Sequence, residues 1–405
     1  MGIRRAKTLV TRRSRVAKHA FYPFIKYHLV SEKIAKEKGS NKLETKTKRR
    51  PIAYAAHADS HIYAYYAFTI GRKYEEAIKT RGIDDAVLAF RSLGKSNIEF
   101  ARDAFADILL RGDCDVVGLD VSAFFDELDH EILKQKWIGL LGENKLPEDH
   151  YRVFRSITHW SCVDRDAVYK AFGISANNPK AGRHRICLPE QFREKVRNGG
   201  LIKTNEEGKG IPQGSPISAL LSNLYMIDFD AEIRQFVSGL GGRYYRYCDD
   251  ILLIVPPGCK GDALAFLKDK ITTLKLIVHP KKTTEHEFRT KGTQLLADRP
   301  LQYLGFLFDG RQAIIRSAAL ARYSERMKRA VRLAKKTQLK RNSLKHKQGA
   351  SPKPLYKRRL YAKFSHLGRR NFVTYGLRAA KILNSRAIRT QLKPLWGRLE
   401  EEIKG

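Results

Sequence analysis

The amino-acid sequence predicts an α+β fold, with short antiparallel strands in the middle of the chain and helix alone towards its end. Three stretches carry that expectation. "RYYRYCDDILLIV" (243–255) sets two apolar runs around Asp249 and Asp250 and is expected to form a hairpin. "LQYLGFLFDGRQAIIR" (301–316) gives a second hairpin, turning at Asp309 and Gly310. From Ser317 onward the pattern is helical and strongly basic.

The elements follow in order. Residues 1–45 are expected to be a basic extension of helix and loop, since Ala20, Phe21, Phe24, Ile25 and Leu29 recur at roughly helical spacing. Pro51 excludes helix at its own position. An aromatic-rich helix then runs through Ile62, Tyr63, Tyr65, Tyr66 and Phe68. "DCDVVGLDVSAFFDELDHEILKQKW" gives a strand over 115–121, a turn, and a helix starting near Asp126. The Gly/Pro loop "GKGIPQGSPIS" feeds a helix from about Ser215 to Val237, and another helix covers 261–276. A long basic helix spans Ser317 to Lys340, followed by a Lys/Pro/Ser linker (340–359) expected to be mobile and by two closing helices. No internal repeat is evident.

Composition narrows the function. A chain of 405 residues has room for about two or three domains. Its net charge of +36 is far more than a small-molecule enzyme needs and suits a polyanionic partner. The charge is uneven. Residues 311–405 hold 27 Lys/Arg against 4 Asp/Glu, residues 1–50 hold 16 against 3, and the stretch between them is near neutral. Basic flanks around an acid-bearing centre suggest an enzyme core with nucleic-acid-gripping ends. A ribosomal-type basic protein is the plainer alternative. Five cysteines (114, 162, 187, 248, 259) form no CxxC pair and no zinc-ligand spacing, which suits a reduced, cytoplasmic protein. The N-terminus lacks the apolar core of a secretory signal, and no run of about 18 apolar residues predicts a membrane span.

The chemistry centres on three aspartates. Asp120 ends the apolar strand "VVGLD", and Asp249 and Asp250 sit at a hairpin tip between apolar strands. Carboxylates gathered on rigid strand ends repel one another unless a divalent cation lies among them, and hard oxygen ligands suit Mg²⁺. Two such ions roughly 3.5–4 Å apart serve in-line attack on a phosphate. Taken alone, the pair Asp249 and Asp250 is equally an exposed turn, because Asp is common there.

The order of motifs decides between these readings. "RRPI" (49–52), "GLDVSAFFDELDH" (118–130), "GIPQGSPISALLSNLYM" (210–226), "YCDD" (247–250), "HPKKT" (279–283) and "YLGF" (303–306) resemble, in sequence order, the fingers and palm blocks of reverse transcriptases. The likeness covers roughly residues 45–330. It implies a right-hand polymerase: an N-terminal basic extension (1–45), fingers (46–115 and 131–209), palm (116–130 and 210–310) and a helical basic thumb (311–405). It further implies that Asp120 and Asp249 bridge two Mg²⁺ ions, with Asp250 supporting them and Val121 joining the metal set. Phe125, five residues after Asp120, matches the steric-gate position that excludes a ribose 2′-hydroxyl, though it also fits a core phenylalanine. Gln213 and Gly214 would lie beside the base and sugar of the incoming dNTP, glycine allowing close approach. Arg50, with Lys48 and Arg49, would neutralise the triphosphate, and Lys282 would protonate the departing pyrophosphate. Arg322, Arg326, Arg329 and Arg332 recur along one helix face and are expected to grip RNA, with Ala319, Tyr323, Met327, Ala330 and Leu333 packing on the palm.

Four further stretches, "RPIAYAAHADSHIYAYYA", "AFRSLGKSNIEFARDAF", "FFDELDHEILKQKW" and the YCDD form, look most similar to the defence-associated (antiphage) reverse transcriptases of type two. That resemblance implies a structured non-coding RNA partner copied into repetitive cDNA, with dNTPs as substrates and no membrane association. A mobile-element, group II-intron-like or CRISPR-linked reverse transcriptase is the alternative enzyme, and an RNA-binding scaffold with a vestigial site is the alternative of another class.

Overall fold

The computed structural model describes residues 2–36, 43–279 and 282–405. Its strands in chain order are β1 (Phe24–Lys36), β2 (Leu43–Tyr54), β3 (Cys114–Asp120), β4 (Ser161–Asp164), β5 (Ile202–Thr204), β6 (Arg243–Tyr247), β7 (Asp250–Val255), β8 (Thr284–Lys291), β9 (Gln294–Ala297), β10 (Leu301–Tyr303), β11 (Phe306–Phe308) and β12 (Ala313–Ile315). They form three sheets, ordered β2-β1-β4-β5, β6-β7-β3-β8-β9 and β10-β11-β12.

The central sheet positions the site. Along β3 and β7 successive side chains alternate between its two faces. Val117, Leu119, Ile251, Leu253 and Val255 enter one apolar core with Tyr63, Trp137, Leu221 and Met226. Val116, Leu252 and Ile254 enter a second core with Phe105, Phe288, Phe308, Tyr323 and Met327. A strand pair buried on both faces reads as a continuous apolar run, which is why "ILLIV" shows no polar alternation. The same parity puts Asp120 and Asp250, paired across β3 and β7, on the face of the second core, just past its apolar end.

The N-terminal sheet differs from the sequence expectation. Residues 24–36 are strand rather than helix or loop, because β2 offers them a twelve-pair antiparallel partner running from Ile25↔Tyr54 to Lys36↔Leu43. The apparent helical spacing came from a short window at its start. Pro51 lies in β2 opposite His28, and β2 is the edge of its sheet, where a residue without an N–H is tolerated.

Helix boundaries shift for local reasons. After β3 the chain makes only a 3₁₀ turn at Phe124–Asp126. The helix begins at His130, capped by the Asp129 carboxylate, which accepts from the N–H groups of Glu131 and Ile132 at 3.0 Å. The helix after the Gly/Pro loop comes in two pieces, Ser218–Tyr225 and Ile227–Gly239. The hairpin at 301–316 is a three-stranded meander with an extra turn at Leu304 and Gly305. The basic helix runs from Ser317 to Lys347, longer than expected. The segment after it is clasped rather than loose. Asn342 accepts from the Lys353 N–H at 2.9 Å and donates to its carbonyl at 3.0 Å, and Gln338 donates to the same carbonyl at 3.1 Å. Four helices close the chain instead of two: Arg358–Phe364, Phe372–Ile382, Arg386–Leu392 and Pro394–Lys404. Among the described residues no helix is long and apolar enough to cross a membrane.

Candidate active site

The turn between β6 and β7 is pinned to the end of β3. Val121 donates its N–H to the Asp249 carbonyl at 3.1 Å, and His279 donates its N–H to the Asp120 carbonyl at 2.8 Å. Asp120 and Asp250 line one cleft of about 480 Å³ together with Lys282, His286 and Tyr303. Asp249 sits beside them at the turn. Asp250 is reachable by solvent from the cleft mouth. The protein packed around its carboxyl, and then the charges of Asp249 and Asp120, push it up to about 6 against the opposing pull of Lys282 and Arg316. Lys282 forms an ion pair with Asp120. Val121 is buried, and its backbone bridges to Val278.

Among the described residues no three His, Cys, Asp or Glu side chains are gathered closely enough to hold a metal as they stand. The donor set nevertheless fits Mg²⁺ in chemistry. Hard carboxylates stand on the ends of paired strands, the charges of Asp249 and Asp120 raise the proton affinity of Asp250, and Asp120 already attracts a cation, the Lys282 ammonium. Pro280 and Lys281 of the "HPKKT" stretch lie outside the described residues.

The Gly/Pro loop ties Phe125, Gln213 and Gly214 to the 3₁₀ turn after β3 and to β2. Ile211 donates its N–H to the Phe125 carbonyl at 2.9 Å, and Gly210 donates to the Leu128 carbonyl at 2.8 Å, so the loop lies along the 3₁₀ turn. Phe125 is half-buried. Gln213 accepts from the Ala53 N–H at 2.8 Å, which joins the loop to β2. Gly214 has φ of +119°, and a Cβ there would lie 2.8 Å from the Ala53 carbonyl. Its glycine is thus demanded by the neighbouring strand itself. Arg50 is exposed on β2, opposite Leu29 and three residues before Ala53.

The four arginines are exposed on the long helix, whose Tyr323, Met327 and Val331 are buried. Leu333, expected on the packed face, is 65% exposed, because ten residues past Tyr323 it falls about 80° short of three full turns, on the side away from Met327 and Val331.

Three residues near the site escaped the sequence reading. Arg316, just before the long helix, is close enough to lower the Asp250 carboxyl. Phe90 adopts φ of +63°, stays 49% exposed, and sets its ring edge-on to Phe125 at 6.4 Å. A bulky residue in that conformation is an outlier. Arg246 is buried beneath the aspartate turn. Their neighbours in the sequence, "AFRSLGK", "AIIR" and "YYRYCDD", give little sign of these roles, because the partners are remote in sequence.

The profile of the reverse transcriptase (RNA-dependent DNA polymerase) family matches residues 66–308, more than half of the chain. The chain belongs to the reverse transcriptase family. Members are RNA-directed DNA polymerases, hence nucleotidyltransferases, and the mixed helices and antiparallel sheets are those of an α+β right-hand polymerase. No curated protein matches this reverse transcriptase. Among solved structures it is similar to apo telomerase from Candida tropicalis truncated from its C-terminal domain, with 12% identity over 77% of this chain and 60% of that one and a TM-score of 0.44. It is also similar to telomerase from Candida albicans in complex with the TWJ fragment of telomeric RNA, with 12% identity over 98% and 67% of the two chains and a TM-score of 0.40. The chain spans less than two thirds of the length of the first of these telomerases.

Proposed function

We propose that this reverse transcriptase copies a structured non-coding RNA partner into repetitive cDNA in antiphage defence, in the cytoplasm, with two Mg²⁺ ions held by Asp120, Asp249, Asp250 and Val121. The observation that carries the catalytic part is the cross-strand pair Asp120 and Asp250, with Asp249 beside it and Lys282 on Asp120. The defence setting rests on the four stretches similar to type-two defence enzymes.

Mg²⁺ bound there would favour the alkoxide of the priming hydroxyl and offset charge on the leaving pyrophosphate. The chain's own groups do the rest. Phe125, backed by Phe90, closes the space where a 2′-hydroxyl would sit. Gln213 and Gly214 hold the base and sugar edge, fixed by their tie to Ala53. Arg50 meets the triphosphate. Lys282, released from Asp120, gives its proton to pyrophosphate. Arg322, Arg326, Arg329 and Arg332 hold RNA phosphates. In domain terms we assign fingers to 46–115 and 131–209, palm to 116–130 and 210–310, and thumb to 311–405.

Purified protein with its co-purifying RNA, Mg²⁺ and labelled dNTPs tests this reading. Tandem-repeat DNA complementary to that RNA is the expected product. Single-copy DNA would leave a reverse transcriptase of mobile-element or CRISPR-linked type, and RNA binding without any DNA would leave a scaffold.

A further inference from the structure

Beneath the aspartate turn lies an ion pair that the mechanism above does not use. Arg246, on β6, has no exposed surface. A buried guanidinium is costly unless it is paired and its donors are filled. Nε and Nη2 each donate to a carboxylate oxygen of Asp230 at 2.6 Å, a two-pronged contact that fixes the plane of the guanidinium. Asp230 is itself fully buried and accepts from the Tyr244 hydroxyl at 2.6 Å. The remaining nitrogen, Nη1, donates to Asn223 Oδ1 at 3.2 Å and to the backbone carbonyl of Cys248 at 3.1 Å. Asn223 is held in turn, its Nδ2 donating to the Ala89 carbonyl at 2.9 Å.

The contact to Cys248 bears on function. Cys248 directly precedes Asp249 and has φ of +61°, a conformation that a residue with a Cβ adopts only when its surroundings impose it. The β6–β7 ladder pairs Tyr247 with Asp250 and leaves Cys248 and Asp249 outside it. Their carbonyls are instead held separately, that of Asp249 by the Val121 N–H and that of Cys248 by Arg246. The pairing with Asp230 leaves the two Nη1 N–H bonds to be filled, and they fall on Asn223 and on the Cys248 carbonyl next to Asp249, although apolar residues of similar volume often replace such a pair without loss of stability. No aliphatic side chain could hold the Cys248 carbonyl.

We propose that Arg246 is a positioning residue: oriented by Asp230 and Asn223, it holds the Cys248 carbonyl and so fixes the turn in which Asp249 and Asp250 take up a divalent cation. This rests on the reading of those aspartates as metal ligands. Groups that orient metal ligands typically contribute about 10- to 100-fold in metal affinity.

The test uses the full chain and Mn²⁺ alone as the probe, its free concentration read by electron paramagnetic resonance, beside thermal melting and single-nucleotide addition against Mg²⁺ concentration. Arg246→Lys keeps a charge opposite Asp230 but has one nitrogen where three are used. Arg246→Met combined with Asp230→Asn removes both charges and leaves the Tyr244 hydroxyl an acceptor. In both, the Mn²⁺ Kd should rise about 10- to 100-fold, with the Mg²⁺ requirement of nucleotide addition rising alongside and RNA affinity close to the parent, and melting should stay close to the parent in the double variant, which leaves no charge unpaired. Parental Mn²⁺ affinity in a variant that keeps its melting temperature overturns the proposal. Should both variants fail to fold, Asn223→Leu removes only one acceptor of Nη1. It should give the same shift in smaller measure, and parental Mn²⁺ affinity there is equally fatal. An Asp249→Asn control that binds Mn²⁺ like the parent would instead sink the reading of the aspartates as ligands.

Discussion

Phe125 is held from two sides, by the Ile211 N–H on its carbonyl and by the ring of Phe90 at 6.4 Å. On the proposed reading of Phe125 as the sugar gate, its removal should be felt as lost sugar discrimination. Phe125→Ala is expected to admit ribonucleotides, and Phe90→Ala to do so more weakly, in competition assays of dNTP against NTP incorporation. If both variants discriminate like the parent, Phe125 is a packing residue and the gate lies elsewhere. At this scale the sequence was legible where carboxylates sit on a strand end. Apolar runs stopping at Asp120 and flanking Asp249 and Asp250 mark carboxylates on a rigid sheet. It was not legible where a side chain acts through remote partners. Nothing local announces that Arg246 reaches Asp230 and Cys248 together, or that Phe90 is held in a left-handed conformation. Gly214 was legible as a required glycine, but its local cause is the Ala53 carbonyl 2.8 Å from any added Cβ.

The long helix Ser317–Lys347 shows what one element contributes. Tyr323, Met327 and Val331 anchor it in the second core, and Arg322, Arg326, Arg329 and Arg332 remain exposed. So many cations repel one another unless a polyanion lies alongside. Neutralising the four arginines should weaken RNA binding and flatten its salt dependence by up to about 3.6 in the slope of log K against log salt, at roughly 0.7–0.9 per phosphate. Processivity should fall more than single-nucleotide addition, because Asp120, Asp249 and Asp250 are untouched. Filter binding across a salt series checks this, and an unchanged slope would assign the charge to another partner. Helix existence here followed from periodicity. The clasp of Lys353 by Asn342 did not, since a Lys/Pro/Ser stretch looks mobile until a specific side chain meets its backbone. The opposite error came at β1, where a few apolar residues at helical spacing were overruled by a long antiparallel partner that periodicity cannot see.

Across the whole molecule, charge and structure divide the labour. The acids of the near-neutral centre include the strand-end aspartates, and the basic excess lies at the two ends. Two apolar cores, one on each face of the central sheet, fix the height at which Asp120 and Asp250 emerge. The fold class was legible because hairpins and helices occupy separate stretches, whereas the closing four helices were merged into two because short turns leave little mark on a basic sequence. In the proposed function these aspartates perform nucleotide transfer while RNA is held elsewhere. The most direct measurement is single-nucleotide addition to a primed RNA template by Asp249→Ala and Asp250→Ala, with RNA affinity measured on the same preparations. Addition below detection is expected in both, with RNA affinity close to the parent. Parental addition rates in both variants would contradict it.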